Sequence, residues 1–236
     1  MTADPLVLIA EVDRATYRLL ATARALDDAA VAQPSPLPGW TRGHVLTHVA
    51  RNADSLVRVL TGARTGEDLP QYASREQRDG DIAAGSGRPL ADQVADVSAA
   101  AGRFAAAVAE LPPDRWFATV RWRSSPPAPA ATAVWVRLRE VEVHHVDLAA
   151  GYRPADWPEA FTHRLLHELT NGWAGRTDGP RVRLRATDLD HESTLGPGPV
   201  VAGPAHALAA WLTGRTSGDG LTVDPPGPLP PIPDWT

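Results

Sequence analysis

Two stretches carry the side chains that could do chemistry. GWTRGHVLTHVARNAD, residues 39–54, places His44 and His48 four apart at the start of an apolar-periodic run. TAVWVRLREVEVHHVDLAA, residues 132–150, carries Arg137, Glu140, His144 and Asp147. Four apart on a helix means the same face, one residue above the other. With Glu140 as origin, His144 lies about 40° to one side, Asp147 about 20° to the other and Arg137 about 60° away. Val136, Val143 and Leu148 border that face, so ionisable groups share a surface with apolar ones. Buried ionisable groups need a partner or a metal. Glu142 falls almost opposite, and His145 lies well round the side. In the first stretch Val45, Val49, Ala53, Leu56 and Leu60 form a core stripe. His44, His48, Asn52 and Ser55 make a polar ladder beside it, with His48 and Asn52 nearest the core.

Two imidazoles and a carboxylate on facing helices, with one coordination position open, suit a catalytic zinc. The same set suits non-haem iron. Spacing alone leaves the plainer alternatives standing: a solvated Glu–His pair and a satisfied core histidine.

Four helices are expected to position these groups. The first runs from Pro5 to about Asp28, until QPSPLPGW breaks the pattern. The second starts at the N-cap Thr41 and runs to about Thr61, ending at Gly62. ARTGEDLPQYASREQRDGDIAAGSG, which contains Arg78, has no helical period and is read as a long loop, where function often concentrates. The third helix covers Leu90 to about Leu111. FATVRWRSSPPAPA is a partly extended connector. The fourth helix covers Thr132 to about Ala150, stopped by Gly151. This set fits a four-helix bundle over residues 1–151. Residues 152–236 change character: a helix in PEAFTHRLLHELTNGWAG, strands in RVRLRATD, VVAG and GLTVD, and a short helix in PAHALAAWLTGR. They read as a small α+β domain, which makes the chain α+β overall.

Composition narrows the functional classes. A hydrophobic fraction of 43% with 22% charged residues is that of a globular protein with a real core. The net charge of −5, with no basic cluster interleaved with aromatics, argues against nucleic acid as a partner. No run of about 18 apolar residues is present, so no membrane span is expected. MTADPLVLIAEVDR has early acids and no basic n-region, so it does not read as a secretory signal. A cytoplasmic monomer acting on a small molecule is expected. Cysteine is absent. That excludes disulfides, cysteine-rich zinc sites and a protein thiol nucleophile. A metal must be held by His, Asp or Glu, and thiol chemistry needs a thiol from outside.

The segments LPGWTRGHVLTHVARNA, QYASREQRDGDIAAGSG, VWVRLREVEVHHVDL and WLTGRTSGDGLTV closely resemble, in the same order, the mycothiol-dependent maleylpyruvate isomerases. Their metal-binding domain is a DinB-like four-helix bundle. The resemblance covers nearly the whole chain, and its motif R-x-x-E-x-x-x-H-x-x-D-L is specific when paired with GW…H. It implies zinc held by His48, Glu140 and His144, with mycothiol as the thiol. It also implies an arginine important to activity at Arg215. Glu142 stands where relatives often carry an aromatic residue, on what is read as the outward face. His44 is expected to stand behind the ligands or to be a near-surface neighbour. Arg78 and Asn52 are candidate contacts to substrate or thiol. Asp147 is expected to orient His144 or to pair with Arg137.

The implied reaction converts maleylpyruvate to fumarylpyruvate, as in gentisate-type aromatic catabolism. A thiolate adds to the cis alkene, the resulting single bond turns, and the thiol is eliminated. Two rivals are a mycothiol S-transferase acting on another electrophile and a non-enzymatic module with a structural zinc. A structural zinc takes four protein ligands, and three are in view here.

Overall fold

The computed structural model describes residues 5–123, 126–174 and 176–235. The chain forms two compact units, Met1–Tyr152 and Arg153–Thr236. The first holds helices α1 (Pro5–Arg24), α2 (Asp28–Val31), α3 (Arg42–Thr65), α4 (Arg75–Ser86), α5 (Leu90–Ala109) and α6 (Thr132–Asp147). A two-residue hairpin, β1 (Thr119–Val120) with β2 (Ala128–Pro129), precedes α6. The predicted connector around it includes Ser124 and Ser125, which lie outside the described residues.

Helix α3 is the spine, packed against α4, α5 and α6, while α1 lies on α5 and α6. Its core stripe is the expected one: Val45, Val49, Ala53, Leu56 and Leu60 are each at most 1% exposed. The start is also as expected. The Thr41 hydroxyl accepts from the His44 amide, and the His44 ring returns the bond to the Thr41 amide.

Two helix ends and one whole element differ most from expectation. Helix α1 stops at Arg24 because Asp27 caps the next turn, accepting from the Ala30 amide at 2.7 Å. Helix α3 continues through Gly62 to Thr65 and ends on Gly66, whose φ of 81° is the left-handed stop. Gly62 serves packing instead, since a Cβ there would stand 2.7 Å from the Glu67 carbonyl oxygen. The third difference is α4, which occupies the stretch read as loop. Only Ile82 and Gly85 are buried along it, so no apolar period marks it in the sequence. Ser74 caps it by accepting from the Gln77 amide at 3.1 Å. A Cβ on Gly85 would meet Thr47 Cγ2 of α3 at 2.5 Å, so the two helices approach closely there.

The second unit is α+β. Helix α7 (Glu159–Ala174) is followed by β3 (Arg183–Ala186), β4 (Glu192–Thr194), β5 (Val200–Gly203), α8 (Ala205–Leu212) and β6 (Thr222–Asp224). The sheet order is β4-β3-β5-β6, with β3 and β5 parallel and the outer pairs antiparallel. Arg183, Leu184, Arg185 and Ala186 alternate outward and inward, which made β3 legible. Strand β4, Glu-Ser-Thr, carries no apolar residue and was not expected. Leu165, Leu169 and Trp173 of α7 and Leu208 and Trp211 of α8 are buried in this unit's core. No described helix is long and apolar enough to cross a membrane.

Candidate metal centre

His48 projects from α3, and Glu140 and His144 project from the facing α6. His48 Nε2 lies 2.9 Å from Glu140 Oε2, and His144 Nε2 lies 3.4 Å from the same oxygen. The two imidazoles meet edge to face with centroids 4.4 Å apart. One donor atom from each of the three residues falls within 4.8 Å of the others, and no second such trio occurs among the described residues. Four-coordinate zinc with ligands at about 2.1 Å holds its donors about 3.4 Å apart, so these spacings suit a single cation. The chemistry of the set, two neutral nitrogens and one anionic oxygen, fits it too.

The surroundings set the protonation of each donor. Burial dominates at His48 and, with the nearby His144 and Arg78 charges, brings its pKa down to about 4. At His144 burial is outweighed by Asp147 and Glu140, and the pKa rises. Asp147 Oδ2 sits 2.8 Å from His144 Nδ1. A cation at the trio would leave the His144 ring proton on Nδ1, donated to Asp147, and would take the lone pair of Nε2. Burial works against the Glu140 carboxylate, yet hydrogen bonds from His144 and His48 hold its pKa well below the usual range.

The N-terminal domain model of the mycothiol maleylpyruvate isomerases matches residues 12–149, and the C-terminal domain model of the same group matches residues 156–233. The chain belongs to the mycothiol maleylpyruvate isomerase family. The crystal structure of the mycothiol-dependent maleylpyruvate isomerase is 30% identical, over 99% of this chain and 98% of that one, with a TM-score of 0.93. A histidine-to-alanine mutant of that enzyme is 29% identical over the same shares, also at 0.93. No curated protein matches the chain in sequence.

Within this isomerase-family scaffold, further residues gather round the trio. Arg78, expected on a loop, stands on α4 with Nη2 3.3 Å from His48 Nδ1. Its Nη1 donates to Asp79 at 2.6 Å, and its guanidinium lies 5.8 Å from the Tyr72 ring centroid. The Trp40 ring stands 5.5 Å from His48. Tyr72 escaped the sequence reading because no helical period ran through its segment. Trp40 belongs to the GW…H motif, but nothing in its spacing points to contact with His48. Arg137 is fully buried and donates through Nη1 to the Val49 carbonyl at 2.7 Å and to Asn52 Oδ1 at 3.1 Å. Burial lowers its pKa to about 10, so it stays a cation, supported by the Glu140 charge. Asn52 is thus engaged in the core by Arg137.

One sequence expectation on α6 needs correction. Glu142 does point away from the trio, but not outward: it is fully buried, accepting from Arg18 and from the Tyr152 hydroxyl at 2.6 Å each. Helix α1 covers that face, and periodicity alone could not reveal the cover. His145 is likewise internal, 2.8 Å from the Thr22 hydroxyl and stacked on Tyr152 at 3.8 Å. His44 belongs to the helix cap. Arg215 lies in the second unit, just past α8. Gly214, with φ 72°, ends the helix, and the Arg215 amide donates back to the Ala210 carbonyl at 2.8 Å. Its Nη1 donates to the Thr213 carbonyl at 2.7 Å, and Trp235 lies 5.6 Å from the guanidinium.

Proposed function

We propose that the chain is a cis–trans isomerase that converts maleylpyruvate to fumarylpyruvate with mycothiol, using zinc held by His48, Glu140 and His144. The observation that carries this is the His–Glu–His trio, His48 buried and Glu140 and His144 half-buried, in a chain of this family that has no cysteine of its own. Three protein ligands leave a fourth position for an exogenous sulfur. When bound, zinc lowers a thiol's pKa, and mycothiol supplies the thiolate that adds to and leaves the cis double bond, so that rotation occurs about a single bond.

The residues do the rest. Asp147 fixes the His144 ring so that Nε2 faces the cluster. With Nε2 of His48 taken by a cation, the ring proton sits on Nδ1, where Arg78 can no longer donate. Its Nη2 is then available to a substrate carboxylate. Arg215 serves the enolate charge that develops on the dioxo chain. Arg137 and Asn52 hold α6 against α3 and keep a positive charge beside Glu140. The substrate and thiol are small soluble molecules, and a cytoplasmic setting is part of this reading.

Dialysed, thiol-free protein mixed with maleylpyruvate should yield fumarylpyruvate only when mycothiol is added, with the thiol recovered unchanged. Accumulation of a stable thioether would make the protein an S-transferase. Full activity without mycothiol would remove the cofactor.

A further inference from the structure

Beyond β6, residues 225–235 form neither helix nor strand. Six of the nine residues 225–233 are proline. Each proline fixes its own φ and brings no N–H, so this stretch cannot extend the sheet and has little freedom to lose when it lies on a surface. It is a semi-rigid strap. Leu229 seats it against Gly218, where an added Cβ would collide with the leucine Cδ1. Further along, Arg176 donates from Nη1 to the Asp234 carbonyl at 3.1 Å. Arg176 is itself held: it donates to Asp178 from Nε at 2.8 Å and from Nη2 at 2.5 Å, and its guanidinium lies 4.4 Å from the centroid of the buried Trp173 ring. An exposed arginine tied to a core ring thus fixes the backbone one residue before Trp235.

The strap delivers the half-buried Trp235 to Arg215. The indole centroid stands 5.6 Å from the guanidinium, within the ~6 Å reach of a cation–π contact. The Thr213 carbonyl takes Nη1 of the same group at 2.7 Å. A carbonyl at one edge and a ring against one face fix the plane of the fork. A long side chain that is already ordered loses less freedom when charge develops against it, so more of the interaction is realised in the transition state.

Resting on the role given to Arg215 above, we infer that Trp235 is a positioning residue for the reaction: the proline-rich strap, seated by Leu229 on Gly218 and by Arg176 on Asp234, lays the Trp235 ring on the Arg215 guanidinium and sets its plane. Trp235 acts through Arg215 and touches no reacting atom. It stands on an irregular, partly exposed segment, so it can be changed without opening the core.

Two measurements on the full-length, metal-loaded protein test this. In steady-state assays Trp235→Ala should lower kcat about threefold to thirtyfold, the range of a cation–π contact, with KM and bound metal unchanged. Trp235→Phe, which keeps a ring face, should retain most of the rate. In the Arg215→Ala background Trp235→Ala should change nothing further. The plane of the guanidinium is read separately from the Arg215 Nε–H signal in NMR spectra, assigned through its loss in Arg215→Ala. The ring current should displace that signal in wild type and in Trp235→Phe, and Trp235→Ala should return it to the ordinary arginine position. Arg176→Gln, which frees the Asp234 carbonyl, should move it in the same direction. A signal indifferent to Trp235→Ala, a wild-type rate for Trp235→Ala beside an impaired Arg215→Ala, or an undiminished effect of Trp235→Ala in the Arg215→Ala background would each overturn the inference. If the signal responds to Trp235→Ala yet Arg215→Ala is fully active, the strap stands and the role given to Arg215 fails.

Discussion

Residues on one helix turn divide sharply by what they face. Glu140 and His144 meet His48, whereas His145, one position on, stacks against Tyr152 on the side of α1. His48→Ala, Glu140→Ala and His144→Ala should each lose bound metal and activity together, as metal analysis of the purified variants would show. His145→Ala should keep its metal. Loss of metal from His145→Ala but not from His144→Ala would overturn the assignment. The pKa directions add a pH prediction. His144 is raised, so below its pKa a cation must displace a proton from it. Metal affinity should fall about tenfold per pH unit there, one proton being released per ion bound. His48, already down to about 4, adds nothing until far lower pH. Titration of the metal-free protein at several pH values, with proton release measured, checks this. A flat affinity from pH 5 to 8 would contradict it.

At the scale of elements, α6 uses both faces. One holds the trio, and the other buries Glu142 against Arg18 of α1 and Tyr152. Glu142→Ala leaves the Tyr152 hydroxyl and a partly exposed guanidinium without that carboxylate. The cost should be about 2–3 kcal/mol, at the low end for a broken buried pair because Arg18 is partly solvated. That lowers Tm by about 5–10 °C in a chain of this size, with metal content unchanged. Thermal unfolding alongside metal analysis separates the two effects. The bundle was legible from apolar spacing, because α1 and α5 each bury one stripe, while α3 and α6 bury more than one face. Helix ends were less so: Gly62 and Gly66 are both plausible stops in sequence, and only the approach of Glu67 shows which one packs. Helix α4 and strand β4 were missed for one reason: almost no apolar side chain is buried along either to set a period. Of the trio, spacing brought Glu140 and His144 to one face and set His48 at a core edge, but the ligand set itself rested on the family resemblance. Tyr72 was not legible, because its segment has no pattern.

At the scale of the whole molecule, the role proposed for Arg215 concerns a residue of the second unit. Arg215→Ala should keep metal and fold, since the Arg215 backbone completes the end of α8 whatever its side chain. The rate should drop a hundredfold or more, the usual cost of one transition-state donor, and lysine should restore only part of it. Steady-state rates with metal analysis would decide; full activity would pass the role to Arg78.

Stability is also spread unevenly over the molecule. Helix α4 has twelve residues but sinks only Ile82 and Gly85 into the core, while α3 sinks most of its length. Its amides should therefore exchange with deuterium through local opening, far faster than those of α3, whose protection should approach the global limit. Since α4 carries Arg78, that guanidinium sits on the part of the bundle that unfolds first. Ligands that engage it should slow exchange in α4 alone and leave the protection of α3 as it was.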